Sequence, residues 1–182
     1  MHGGASGIGT AAIALVREAG GRCLVTAGSP EKCERCLELG ADAAIDYRRE
    51  DFAERVSALT SGRGVDVVLD SIGGPYLAGN LASLAVEGRL VLIGLMGGGS
   101  AELDLGSLLL RRLQIIGSTL RGRSVAEKAD LVAAFVERFG PAIEAGRVAP
   151  VVDRVLPIEE AGQAHRVLEE SSHVGKVILR VA

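Results

Sequence analysis

Strand-like and helix-like segments alternate along almost the whole of this 182-residue chain. Apolar residues at helical spacing cover Gly7–Ala19, and a short apolar run at Arg22–Thr26 follows them. Val65–Asp70 is the clearest predicted strand, and Arg89–Ile93 is a second one after the next helical stretch. Because strict β-α-β order requires crossover connections, we expect an α/β fold with a doubly wound, mostly parallel Rossmann sheet. Further helices are predicted at 30–39, 51–59, 75–84, 104–112, 124–139, 141–145 and 157–170, and further strands at 43–46, 113–119, 151–156 and 176–181.

The composition agrees with this fold and argues against several other classes of protein. Apolar residues make up 48% of the chain and aromatic residues 3%, so Leu, Val, Ile and Ala must form the core. A net charge of −3 without a basic stretch argues against nucleic-acid binding. There is no apolar run of the ~18–20 residues that a membrane span needs, and no signal-peptide pattern. Together with three cysteines, these features predict a cytoplasmic protein.

The pair Cys33 and Cys36 has C-x-x-C spacing, which occurs in zinc and redox sites. No second cysteine pair or nearby histidine completes a zinc site, and the pair does not directly follow a predicted strand. We interpret the two cysteines as neighbours on one helix. The sequence therefore predicts no metal site.

A glycine-rich turn, Gly4-x-x-Gly7-x-Gly9, opens the first predicted helix. The N-terminal amides and the dipole of a helix favour an anion, and glycines let the backbone approach a pyrophosphate closely. Within a β-α-β alternation this turn predicts a dinucleotide site, although an ordinary glycine turn has the same spacing. Short-chain dehydrogenases share such a turn but use a Tyr-x-x-x-Lys pair for catalysis. Neither Tyr47 nor Tyr76 has a lysine four positions later, which argues against that class.

The end of the second predicted strand indicates which nicotinamide cofactor the chain prefers. NAD enzymes place an acidic residue there to bind the ribose 2′-hydroxyl, whereas in the segment Thr26–Lys32 no carboxylate stands at the end of the strand itself. Ser29 can donate a hydrogen bond, and Lys32 brings a positive charge toward a 2′-phosphate. Glu31 disagrees with this interpretation unless it faces solvent. We therefore expect NADPH rather than NADH.

Several stretches together resemble the cofactor domain of zeta-crystallin-like quinone oxidoreductases, zinc-independent members of the medium-chain dehydrogenase/reductase superfamily. The resemblance covers essentially the whole chain in order. Its motifs are Gly3–Gly9, Thr26–Lys32, Leu39–Asp42, Ile45–Tyr47, Gly64–Asp70, Gly73–Gly74, Gly88–Gly94, Gly117–Arg121 and Gly175–Leu179.

The resemblance implies a role for each matching position. The pyrophosphate turn would comprise Ala5, Ser6, Gly7, Ile8 and Gly9. The residues around the adenosine 2′-phosphate would be Ser29, Lys32 and Tyr47, and those under the cofactor would include Ser71 and Gly73. The residues flanking the nicotinamide would be Ile93, Gly94, Leu120 and Arg121. His173 stands where family members often have Asn, and it can still donate a hydrogen bond to the cofactor.

In this family a catalytic domain and a first central strand precede the glycine turn. Such a strand needs ~5–6 residues, whereas Met1 and His2 supply only two. We therefore expect residues 1–182 to be an NADP-binding Rossmann domain whose first strand is largely missing. The segment from about residue 151 onward would return to the absent catalytic domain.

The family's activity is hydride transfer from NADPH to a quinone or a related α,β-unsaturated carbonyl compound. Side chains that face the substrate would come mostly from the other domain, so we name no catalytic residue and expect little activity from this part alone. The alternative is a non-enzymatic dinucleotide-binding or dimerisation module. Relatives pair through the strand that matches Leu113–Thr119, so we expect a homodimer through this apolar, uncharged strand.

Overall fold

The computed structural model describes residues 1–181, and helices alternate with strands along them as predicted. The helices are α1 (Gly7–Glu18), α2 (Pro30–Glu38), α3 (Phe52–Leu59), α4 (Leu77–Ser83), α5 (Leu105–Leu110), α6 (Val125–Glu144) and α7 (Ala161–Glu169). The strands are β1 (Leu24–Ala27), β2 (Ala43–Asp46), β3 (Val65–Asp70), β4 (Leu84–Leu92), β5 (Gln114–Gly117), β6 (Val152–Pro157) and β7 (Lys176–Arg180). None of the helices within residues 1–181 has the length and apolar character needed to cross a membrane.

The chain divides into two compact units. The first contains Met1–His2 and Ile45–Ala134, and the second contains Gly3–Ala44 and the residues from Phe135 onward. The strands form three sheets, in the orders β1-β2, β3-β4-β5 and β6-β7. The neighbours in the sheets β3-β4-β5 and β6-β7 run parallel. The predicted α/β class with parallel strands is confirmed, and the strands belong to three small sheets instead of one continuous sheet.

The core of the first unit lies between its three-stranded sheet and the helices that connect the strands. Its buried residues come from β3, α4, β4 and the position directly before β5, and they are Val68, Leu81, Leu84, Leu90 and Leu113. Arg111 fixes one end of this core, since its guanidinium donates to the backbone oxygens of Leu81 and Leu84. These carbonyl groups lie at the C-terminus of α4, where helical partners are lacking.

The second unit has a smaller core beside α1, β1 and α2. Ile13 and Cys36 are completely buried, and Val25 is 1% exposed. α2 packs beside β1, and α7 packs beside β6 and β7. Both α1 and α2 begin at a serine N-cap, Ser6 and Ser29, whose hydroxyl accepts a backbone N–H of the first turn.

Several boundaries differ from the sequence-based predictions by one to five residues, and two of these differences have a clear structural reason. The helix predicted at 124–139 and the turn predicted at 141–145 form one helix, α6, with Pro141 inside it. Proline removes one N–H donor, and the helix continues because Ala145 N–H still donates to Pro141 O at 3.2 Å. Strand β4 begins at Leu84, five residues before the predicted start, because Leu84 already pairs with Val65.

The N-terminal residues Met1 and His2 belong to no strand. His2 N–H nevertheless donates to Leu69 O at 3.1 Å, which is a β-type hydrogen bond at the edge of β3. The side chain of His2 is buried, with 4% exposure. This contact fixes His2 beside the carboxyl end of β3.

Replacement of a core leucine should separate packing from surface effects. Leu90 is completely buried in β4, whereas Leu109 of α5 is 77% exposed. We expect Leu90→Ala to lower the free energy of unfolding by about 2–5 kcal/mol, since it removes buried methyl groups and leaves a cavity. Leu109→Ala is the matched control and should change it by less than about 0.5 kcal/mol. Urea denaturation of both variants checks this, and similar losses in both would contradict the core assignment.

Candidate functional site

The glycine-rich turn lies in the second unit and is held by backbone hydrogen bonds on two sides. Gly4 N–H donates to Thr26 O of β1 at 2.8 Å, and Gly175 N–H donates to Ala5 O at 2.8 Å. Ser6 then caps α1, and its hydroxyl accepts from Gly9 N–H at 3.0 Å. Helix α1 therefore starts directly at the end of the turn, as the sequence predicts.

The absence of a side chain at Gly9 lets the first turn of α1 lie directly against the glycine-rich turn. A Cβ there would overlap the carbonyl oxygens of Gly3 and Gly4, so the helix and the turn could not approach as they do. Within residues 1–181, the amide N–H groups of Gly7 and Ile8 have no hydrogen-bond partner. They lie in the first turn of α1, where a helix attracts an anion. A dinucleotide pyrophosphate therefore fits this turn.

The predicted 2′-phosphate residues Ser29 and Lys32 meet at the start of α2. Ser29 Oγ accepts from Lys32 N–H at 3.3 Å, so the serine is fixed as the helix cap. The ammonium group of Lys32 donates to Ser171 Oγ at 2.9 Å, in the loop that follows α7. Glu31 lies in the same helical turn and is exposed.

His173 lies between α7 and β7 in the second unit. It is half-buried, and its Nδ1 is 3.4 Å from Val167 O, which is a long hydrogen bond to the end of α7. Its neighbour Val174 N–H donates to Asp153 Oδ1 at 3.0 Å. The His173 side chain therefore already has a weak hydrogen-bond partner on the backbone, and a hydrogen bond to the cofactor would be formed in addition to it or in its place.

A turn at the carboxyl end of β3 carries the predicted residues Ser71 and Gly73 in the first unit. Asp70 is completely buried, and its carboxylate accepts Ile72 N–H at 2.7 Å and Gly73 N–H at 3.1 Å. Gly73 has φ +90°, a conformation that glycine adopts without strain. The backbone of this turn is therefore fixed by one buried carboxylate.

The carboxyl end of β4 lies beside this turn. Ile93 N–H donates to Asp70 O at 2.8 Å, and a Cβ on Gly94 would come within 3.1 Å of Ser71 O. The structure thus brings Ser71, Gly73, Ile93 and Gly94 together at one edge of the sheet. Parallel α/β sheets bind their ligands at this edge.

The remaining predicted residues of the first unit are exposed on loops. Leu120 is 61% exposed, and Arg121 is exposed beside it in the loop after β5. Tyr47 is 42% exposed directly after β2. The structure gives these three side chains the accessibility that a ligand contact needs.

A buried polar chain supports the turn after β3, and the sequence analysis missed it. Asn80 Nδ2 donates to Asp70 Oδ2 at 2.9 Å. Because a carboxylate only accepts, this bond fixes the Asn80 amide, and its Oδ1 must accept from His2 Nε2, which lies 2.6 Å away. The His2 ring also packs edge-on against Phe52 and Tyr76, with centroid distances of 4.8 and 4.7 Å.

This enclosure changes the protonation of His2. Burial is the main cause, and it lowers the pKa of His2 below its ordinary value. His2 is therefore a neutral donor to Asn80 near neutral pH. The only sequence signal for this chain of hydrogen bonds was an aspartate at the end of a strand with an asparagine ten positions later.

The sequence profile of a family described as zinc-binding dehydrogenase matches residues 7–137, which is more than half of the chain. The chain belongs to the zinc-binding dehydrogenase family. The match includes the glycine turn from Gly7 onward, β3 with its turn, and both β4 and β5. It therefore covers most of the residues to which a cofactor role was assigned.

Two curated relatives of this zinc-binding dehydrogenase domain show the range of proteins that it resembles. The chain is 44% identical over 94 residues to phthioceranic/hydroxyphthioceranic acid synthase of Mycobacterium tuberculosis, covering 52% of this chain and 4% of that protein. It is 29% identical over 180 residues to quinone oxidoreductase of Rattus norvegicus, covering 98% of this chain and 53% of that protein.

A solved structure extends this similarity to the fold. Escherichia coli quinone oxidoreductase complexed with NADPH matches with a TM-score of 0.79 at 26% identity, covering 99% of this chain and 56% of that one. The chain spans about half the length of each quinone oxidoreductase and a small part of the synthase. The resemblance to the cofactor domain of quinone oxidoreductases and the Rossmann-like fold are confirmed.

The cysteines of the zinc-binding dehydrogenase domain do not lie in a cluster of metal ligands. Among residues 1–181, no group of three or more His, Cys, Asp or Glu is arranged to hold a metal ion. Cys23 and Cys36 are buried, and burial raises the pKa of Cys36 to about 11. Cys36 lies on α2 as a protonated, apolar packing residue.

Burial of His2 should make the free energy of unfolding depend on pH near neutrality. Because its folded pKa is lowered, the unfolded chain takes up the proton first as the pH falls. The contribution is fully present above about pH 6.5 and is lost as the pH falls through that value toward the lower folded pKa. We expect the free energy of unfolding, measured in urea, to decrease between about pH 7.5 and 5.5, and to decrease less in His2→Gln.

His165→Gln is the matched control, since His165 is exposed on α7. It should keep the pH dependence of the unchanged protein. This pH window lies above the ordinary pKa values of carboxyl groups. It lies below the pKa of Tyr76, which burial raises above its ordinary value. An identical decrease in the unchanged protein and both variants would exclude the assigned role of His2.

Proposed function

We propose that this chain is the NADPH-binding part of an oxidoreductase that transfers hydride to a quinone or a related α,β-unsaturated carbonyl compound. The observation that carries the proposal is the pair of unpartnered amides, Gly7 and Ile8, at the N-terminus of α1 beside the glycine turn. These amides would bind the pyrophosphate together with the backbone around Ala5, Ser6 and Gly9. The nicotinamide supplies the hydride when the cofactor is bound.

The preference for NADPH rests on the start of α2. Lys32 would bind the 2′-phosphate through its ammonium group, and Ser29 lies beside it as the helix cap. No carboxylate ends β1, and Tyr47 would complete the binding site at the adenosine end. The Escherichia coli relative complexed with NADPH supports this choice of cofactor.

The nicotinamide end would lie at the carboxyl ends of the first unit's strands. Ser71 and Gly73 would support the ring from below, with their turn fixed by Asp70. The residues flanking the ring would be Ile93, Gly94, Leu120 and Arg121, and His173 would donate a hydrogen bond to the cofactor. We assign no proton donor to residues of this chain, so we expect it to show little hydride transfer alone. A non-enzymatic dinucleotide-binding module is the alternative, and it would gain no hydride transfer when a family catalytic domain is supplied.

Calorimetric titration tests the cofactor assignment. We expect NADPH to bind more tightly than NADH, and Lys32→Gln to weaken NADPH binding about tenfold with little effect on NADH, because it removes a charged phosphate contact. Arg180→Gln is the matched control, since it removes a positive charge from an exposed side chain of β7 to which no cofactor contact is assigned. Failure of a folded chain to bind either dinucleotide would contradict the proposed function.

A homodimer through β5 is a second proposal, and the exposure of this strand supports it. Strand β5 is last in the order β3-β4-β5, and all four of its residues are exposed. Its outer edge therefore presents backbone groups that a second copy of β5 could pair. Ile115 and Ile116 add apolar surface, with 36% and 39% exposure.

Light scattering coupled to size-exclusion chromatography checks this dimer. We expect the unchanged chain to have twice the mass of one chain, and Ile116→Lys to have the mass of one, because a charge at the paired edge opposes association. Val125→Lys adds the same charge at a side chain of α6 that is 83% exposed, and it should leave the dimer intact. A single-chain mass for the unchanged protein would exclude the dimer.

A further inference from the structure

Asn80 is the only asparagine in the chain, and its side chain is completely buried in the first unit. The side-chain amide lies between two partners, since Nδ2 donates to Asp70 Oδ2 at 2.9 Å and Oδ1 accepts from His2 Nε2 at 2.6 Å. A turned amide would bring its oxygen against the Asp70 carboxylate, so one orientation alone satisfies both partners. Asn80 therefore has a fixed place beside the turn that follows β3.

Helix α4 holds the Asn80 side chain at this place. Leu81 of the same helix is buried in the core of the first unit, and Leu77 packs against that core. These two leucines lie about one helical turn apart, so they anchor α4 on both sides of Asn80 in sequence. The His2 ring on the other side of the amide is itself enclosed by two aromatic rings. The amide is therefore fixed from the helix and from His2.

The hydrogen bond from Asn80 fixes the plane of the Asp70 carboxylate. The last side-chain torsion of aspartate is only broadly restricted, so the carboxylate has no strong preference of its own. Asp70 Oδ1 accepts Ile72 N–H at 2.7 Å, and Oδ2 accepts Gly73 N–H at 3.1 Å. Asn80 adds a side-chain donor to Oδ2, the oxygen with the longer backbone bond. It therefore holds the carboxylate in the plane in which each oxygen accepts one backbone amide of the turn.

The turn after β3 also holds the segment that follows β4. Met96 N–H donates to Ser71 O at 3.0 Å, and Gly97 N–H donates to Ile72 O at 2.8 Å. A shift of the turn would therefore displace this segment as well. Both belong to the part of the first unit where the nicotinamide end of the cofactor would lie.

We propose that Asn80 is a positioning residue for the nicotinamide half of the cofactor. Its buried side chain acts through Asp70 on the backbone around Ser71 and Gly73. The inference rests on the proposed function, which places the nicotinamide ring over this turn. The glycine turn and Lys32 belong to the second unit. Loss of the Asn80 amide should therefore weaken binding of the nicotinamide end and leave the adenosine end unchanged.

Titration of Asn80→Leu with NADPH and with 2′,5′-ADP tests the proposal. Leucine has about the size of asparagine and lacks both polar atoms, and 2′,5′-ADP carries the adenosine end without the nicotinamide. We expect the variant to bind NADPH about tenfold more weakly, because Asp70 loses a hydrogen bond, and to bind 2′,5′-ADP as the unchanged protein does. Ser83→Ala is the matched control, since it removes a buried hydroxyl of α4 that donates to Gly79 O at 2.8 Å. It should leave the affinities for both ligands unchanged.

Two results would overturn the inference while leaving the proposed function intact. An equal loss of affinity for both ligands in Asn80→Leu would mean that Asn80 acts on the stability of the whole fold. An unchanged affinity for NADPH would mean that the turn keeps its geometry without Asn80. If the unchanged protein binds neither ligand, the proposed function itself fails.

A second measurement uses the unchanged protein, so it does not depend on the folding of a variant. Incorporation of ¹⁵N-labelled asparagine labels Asn80 alone, and NMR then follows hydrogen exchange at its Nδ2. Two ligands at the same degree of saturation oppose global unfolding equally, whereas local opening of the turn is opposed only by a ligand that needs the closed turn. With each ligand at about ten times its dissociation constant, we expect NADPH to slow this exchange about tenfold more than 2′,5′-ADP does. Equal slowing by both ligands would overturn the inference.

Discussion

The close approach of α1 to the glycine turn is the constraint on which the phosphate half of the site depends. Gly9 lies against the carbonyl groups of Gly3 and Gly4, and any side chain there would push the helix away. The turn is also tied to β1 through Thr26 and to the start of β7 through Gly175. Among the described residues 1–181, these contacts leave the amides of Gly7 and Ile8 without a hydrogen-bond partner at the end of a helix. The anion-binding character of the turn is therefore a consequence of backbone packing.

One buried carboxylate has a comparable role in the first unit. Asp70 accepts two backbone amides of the turn after β3 and the side chain of Asn80. Burial of an unpaired carboxylate is costly, and three donors offset that cost. His2 completes the chain of hydrogen bonds as a neutral donor to Asn80. The same bonds that satisfy Asp70 fix the backbone of Ser71 and Gly73, so stability and site geometry depend on one group.

Local sequence patterns predicted the elements, and tertiary contacts decided what these patterns missed. Strands β2 and β3 have the predicted bounds, because short apolar runs flanked by glycines and caps leave little choice. The early start of β4 depends on pairing between Leu84 and Val65, which the local pattern does not encode. The glycine turn was predicted from its spacing, and Lys32 from its positive charge just after the second predicted strand. His2 and Asn80 were not predicted, since each acquires its role from a residue distant in sequence.

The position of Lys176 gives a second reason for glycine at position 7. In a dinucleotide turn, a glycine is usually explained by the close approach of the ligand to the backbone. In this chain the missing Cβ also makes room for Cδ, Cε and Nζ of Lys176. The turn at Gly175 brings that lysine to the site without a long or mobile loop, since two backbone hydrogen bonds hold it. Two glycines far apart in sequence therefore act together to place one positive charge beside the helix end.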